Sequence, residues 1–118
     1  VHVWRLAAET DLRGRTIDAA DVDEIVRSIG AAHQSELDGL LKAHPYDKRT
    51  AHLVRGDAED VITELADTLE VDLVVIGTVG RAGVPGLLIG NTAETVLNSV
   101  DCSVLTLKPD GFETPIQV

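Results

Sequence analysis

A short apolar run, Leu73-Val74-Val75-Ile76, ends abruptly at Gly77 and opens a loop carrying Gly80, Gly83, Gly86 and Gly90. A β-branched run cut off by glycine suits a strand buried on both faces of a parallel sheet. Ligands of such sheets sit beyond the carboxyl ends of the strands, where Gly77 would lie. A helical pattern starting near Asn91 and a second apolar run, Val104–Leu107, follow the loop.

The spacing Gly77-x-x-Gly80, nine further residues, then Gly90 brings bare backbone near one point twice. Glycines there leave amide N–H groups uncovered by a β-carbon. Asn91 is the expected N-cap of the helix, with Glu94 completing a capping box. Free N–H groups at that helix start, with Arg81 close in sequence, suit phosphate oxygens. The bland alternative is a long loop that needs glycines only to turn, and spacing alone does not separate the two.

Upstream, Val1–Leu6 alternates and reads as a strand, and Ala7–Thr16 is polar and reads as a loop. Val22, Ile25, Val26, Ile29, His33, Leu37, Leu40 and Leu41 then form an apolar stripe at three- and four-residue steps. Asp18 or Asp21 is the expected cap, and Pro45 should end that helix at or before His44. Gly30 and Gly39 weaken it. Arg49–Val54 reads as a strand, and Asp57 should cap a helix with the stripe Val61, Ile62, Leu65, Ala66, Leu69. The alternation predicts an α/β parallel sheet with right-handed crossovers. Residues 109–118, with Pro109, Gly111 and Pro115, should form an extended tail.

These residues carry a resemblance. Gly77, Gly80 and Gly90 match the G-x2-G-x9-G-(S/T) pattern of universal stress protein domains. GRAG is similar to their usual GRTG, and Cys102-Ser103-Val104-Leu105 resembles their last strand. GTVGR, LIGNTAE and the tail KPDGFETPIQV are most similar to tandem-domain, E-type members, in their C-terminal half. Asn91 departs from the motif, standing where Ser or Thr is usual, with Thr92 next.

The resemblance implies a universal-stress-protein-like (adenine nucleotide alpha hydrolase-like) parallel sheet with helices on both faces, over residues 1–108. Val1–Leu6 then corresponds to the family's second strand. The family's central first strand and first helix would be missing, in a chain without an initiator methionine. The family order 3-2-1-4-5 would leave a gap, closed by strand exchange or by direct pairing of its second and fourth strands. It further implies ATP, with magnesium, as ligand, and Gly77, Gly80, Arg81, Gly90, Asn91 and Thr92 as the phosphate-lining residues. Val104, Leu105, Thr106 and Leu107 would be a sheet edge that pairs across a dimer, or with the other domain of a tandem parent.

The competing reading is a regulatory or interaction module that keeps the fold without binding nucleotide. Asn91 and the absent first strand favour it. A weaker one is an apolar-ligand carrier using Val84, Leu87, Leu88 and Ile89, a run that is more often core.

A net charge of −10 argues against a nucleic-acid partner. One cysteine, Cys102, excludes an intrachain disulfide and suits the cytoplasm, and its place before a core strand suggests a buried thiol. No apolar run approaches a membrane span. His2, His33, His44 and His52 show no metal-binding spacing, so His33, on the apolar stripe, reads as a packed or boundary histidine rather than a ligand. Neither a G-x-S-x-G elbow nor a Walker lysine is found, and the enzyme reading is the weaker one.

Overall fold

The computed structural model describes residues 1–7, 9–14, 18–78 and 89–112. In chain order these form β1 (His2–Trp4), α1 (Glu9–Gly14), α2 (Ala19–Ala43), β2 (Leu53–Arg55), α3 (Ala58–Thr68), β3 (Leu73–Gly77), α4 (Asn91–Ser99) and β4 (Ser103–Leu107). Among the described residues the strand pairing is parallel, as the α/β alternation predicts. The chain divides into two compact units, Val1–Asp57 and Ala58–Val118.

In the first unit β1 pairs with β2, His2 opposite Leu53 and Trp4 opposite Arg55. Period-2 alternation puts His2 and Trp4 on one face of β1, and both side chains meet α2. The Trp4 ring lies where a β-carbon on Gly30 would stand, 2.9 Å from its Cζ2. It also stacks on His33, with ring centroids 5.4 Å apart. Gly30 therefore seats the indole. Val22 and Leu37 are the buried members of the α2 stripe, whereas Ile25 and Leu40 are exposed.

Asp18 caps α2, its Oδ1 accepting from the Ala20 N–H at 3.1 Å. Arg49 closes the other end, donating to the carbonyls of Leu41 (2.7 Å) and His44. Satisfying those orphan carbonyls holds Arg49 on the helix, so β2 starts at Leu53 and not at the expected residue 49. A second correction concerns the segment read as a loop, which contains α1. This six-residue helix is held by ion pairs: Glu9 accepts from Arg13 Nε at 2.9 Å and from Arg55. Arg13 donates in turn to Asp23 at 2.8 Å. Such stabilisation leaves no apolar period to read.

In the second unit β3 and β4 pair in register from Leu73–Ser103 to Gly77–Leu107. The expectation of a strand buried on both faces is corrected: Val74, Ile76 and Val104 are half-buried, but Leu73, Val75, Leu105 and Leu107 are about half exposed on the other face. Ala66, Ala93 and Val96 are the buried residues of α3 and α4, which pack together through small side chains. Cys102 is half-buried, less enclosed than expected.

Among the described residues no direct pairing of the family's second and fourth strands is present. Each strand takes the partner returned to it by its own crossover, β2 for β1 and β4 for β3. The described part of the tail turns rather than extends: Phe112 N–H donates to the Pro109 carbonyl, with Gly111 at φ 78°. No helix among the described residues is long and apolar enough to cross a membrane.

Candidate functional site

The candidate site lies at the carboxyl ends of β3 and β4, where the chain leaves Gly77 and returns at Gly90. Thr78 anchors the departure. It is fully buried, and both its N–H (3.1 Å) and its Oγ1 (3.2 Å) donate to the Leu107 carbonyl. That carbonyl ends β4 and uses both lone pairs on one residue. Thr78 was not singled out by the sequence reading, since only its place directly after Gly77 hints at a role.

The return is anchored by close approach. A β-carbon on residue 90 would stand 3.1 Å from the Thr78 carbonyl oxygen. Gly90 is the N-cap of α4, in an extended conformation, and its carbonyl accepts from the Glu94 N–H at 2.9 Å. This corrects the expected capping box by one residue: Asn91 is the first helical residue, exposed, and no side chain caps the helix. Asparagine is the better cap, but the capping position is the one pressed against Thr78, where a side chain would force the Thr78 carbonyl to shift.

The helix start therefore offers N–H groups that have no intrahelical acceptor, at Asn91, Thr92 and Ala93. The Thr92 hydroxyl is engaged, donating to Glu59 Oε1 of α3 at 3.2 Å. Glu59 thus sets a carboxylate beside the helix start, a feature that the sequence reading missed. Gly77 ends β3, and no described atom lies within 4 Å of where its β-carbon would be. Neither sterics within the described chain nor a positive φ demands glycine there. Gly80, Arg81, Val84, Leu87 and Leu88 lie outside the described residues, and Ile89 is half-buried. Among the described residues of this unit the only Lys or Arg is Lys108, directly after Leu107, with its Nζ 4.7 Å from the centroid of the Phe112 ring.

The end of β3 and the start of α4, with its N–H groups uncapped by any side chain, lie at the carboxyl edge of the β3–β4 sheet. The sequence model of the Universal stress protein family matches residues 1–108. The chain belongs to the universal stress protein family. Universal stress protein E of Salmonella typhi is 36% identical over 91 residues, 77% of this chain. The chain spans only 29% of that relative's length. The solved structure of the hypothetical protein MJ0577 superposes with a TM-score of 0.77 at 18% identity, covering 94% of this chain and 74% of that one. A universal stress protein in complex with cAMP superposes with a TM-score of 0.52 at 28% identity, over 70% of this chain and 65% of that one. These neighbours share the α/β fold, with its parallel strands and helices.

Proposed function

We propose that this universal stress protein domain binds a nucleotide through its phosphates at the β3–α4 turn, as a stress-response module. The observation that carries the reading is the start of α4, capped by Gly90 with no side-chain acceptor on its N–H groups. An anion satisfies those groups and the positive end of the helix dipole together. No described atom lies within 4 Å of where a β-carbon on Gly77 would stand at the strand tip. A family neighbour in complex with cAMP supports a nucleotide as ligand. ATP, with magnesium accompanying its phosphates, is the proposed species, and Gly77, Gly80, Arg81, Gly90, Asn91 and Thr92 the lining residues. Thr92 would contribute its N–H, its hydroxyl being taken by Glu59. The cytoplasm is the natural source of such a ligand, and the domain would work as a homo-oligomer or beside a second domain, through Val104–Leu107.

One observation favours the interaction-module reading: Glu59 already places negative charge at the α4 start. Calorimetric titration with ATP, with and without magnesium, and with cAMP separates the two. Binding that strengthens in Glu59→Gln supports the nucleotide site. No heat of binding in either protein, for any of the three titrants, overturns it.

A further inference from the structure

His2, His33 and Glu36 meet on the face where β1 crosses α2, in the first unit and outside the proposed nucleotide site. His2 Nε2 lies 2.9 Å from His33 Nδ1, and Glu36 Oε2 lies 3.6 Å from that same Nδ1. All three ligand atoms fall within 4.8 Å of one another. His33, which the sequence reading gave no partner, contacts His2 31 residues away and Glu36 one helical turn on.

The crowding at His33 Nδ1 is the informative feature. It faces an imidazole nitrogen and a carboxylate oxygen at once, and a single N–H can point squarely at only one of them. A shared cation satisfies all three atoms together. We propose that His2, His33 and Glu36 bind a divalent transition-metal ion of the zinc class. Zinc takes imidazole nitrogen and carboxylate oxygen at about 2.0–2.2 Å in a tetrahedron, which sets neighbouring ligand atoms roughly 3.3 Å apart. The two separations at His33 Nδ1, 2.9 and 3.6 Å, bracket that spacing, and the remaining edge, His2 to the exposed Glu36 carboxylate, lies within 4.8 Å, so the site closes by a side-chain adjustment of Glu36. The N–H between the two rings moves to the far nitrogen of its ring, and no net proton is lost from the neutral pair. A fourth position stays open to water or an exogenous ligand.

The supports are rigid. His33 and Glu36 share one row of a 25-residue helix, and His2 is held by its N–H to the His52 carbonyl at 2.8 Å. Trp4 stacks on His33 and fixes its ring plane, the kind of support that sets ligand geometry.

Trp4 is also the chain's single tryptophan, so its emission reports on this site alone. The test titrates the full chain with zinc chloride by calorimetry, and with copper(II) by quenching of Trp4 emission. Variants are Glu36→Gln, at an exposed position that leaves folding intact, and His33→Gln, with His44→Gln as control and circular dichroism to verify folding. Outer-shell partners alone cost ten- to a hundredfold in metal affinity, so losing the ligand in His33→Gln should weaken zinc at least about a hundredfold. Glu36→Gln should weaken it at least about tenfold. Copper quenching should fall in parallel, and His44→Gln should change neither. Absence of zinc binding, or zinc affinity and copper quenching unchanged in folded Glu36→Gln, would overturn the proposal.

Discussion

The carbonyl oxygen of Thr78 stands 3.1 Å from the position of a β-carbon on Gly90, so the two ends of the glycine loop are pressed together at backbone level. Thr78 cannot retreat freely, because its N–H and hydroxyl both hold the Leu107 carbonyl. Gly90→Ala should therefore destabilise the chain by about 1–2 kcal/mol, combining overpacking with a poorer N-cap. Urea unfolding with an unchanged m-value measures it, and a stability equal to wild type would contradict the contact.

Gly30 and Gly39 make a matched pair in α2. Open space surrounds Gly39, whereas the Trp4 ring fills the space at Gly30. Gly39→Ala should gain about 0.5–1 kcal/mol from helix propensity. Gly30→Ala gains the same but displaces an indole held on His33, an overpacking cost of about 1–3 kcal/mol. Thermal unfolding should move in opposite directions for the two.

How much of this was legible in the sequence varied with the range of the forces involved. The β3 strand, the α2 helix and the stop before Pro45 follow from local period and backbone chemistry and are found where expected, although Ile25 and Leu40 of the predicted stripe are exposed. α1 was invisible because Arg13, Glu9, Asp23 and Arg55 hold it through ion pairs. The α4 cap was misplaced by one residue because Asn91 is the better cap and the approach of Thr78 to residue 90 is a tertiary fact. His2 and His33 were separated by 31 residues, and no spacing rule joins them. Of the proposed phosphate-lining residues, Gly77 ends β3 and Gly90, Asn91 and Thr92 start α4, while Gly80 and Arg81 lie outside the described residues.

The Glu9 carboxyl is held below the ordinary value of 4.5, first by its hydrogen bond from Arg55 and then by that from Arg13. The folded chain thus binds this proton less readily than the unfolded one. The resulting stabilisation is complete above the unfolded value and is lost as pH falls through the lower, folded one. Glu9→Gln should remove that component, so its stability should fall less steeply than that of wild type over this acid window. Equal slopes for the two proteins would contradict it.

Association should follow from β3 and β4. Leu73, Val75, Leu105 and Leu107 are about half exposed on one face, and β4 pairs only with β3 among the described residues. An apolar strand edge left open favours partnering. Sedimentation velocity should show a concentration-dependent shift toward larger species, reduced in Leu105→Lys. A strictly monomeric chain across the whole concentration range would contradict the role given to Val104–Leu107.

The central claim is that bare backbone at the β3–α4 turn receives a phosphate group. Amide chemical shifts of the nitrogen-15-labelled chain during titration with ATP test it most directly. The account predicts saturable shifts concentrated at Gly77, Gly90, Asn91, Thr92 and Ala93, with the amides of α2 unmoved. Saturable shifts confined to other elements, or none at these five residues at millimolar ATP, would contradict it.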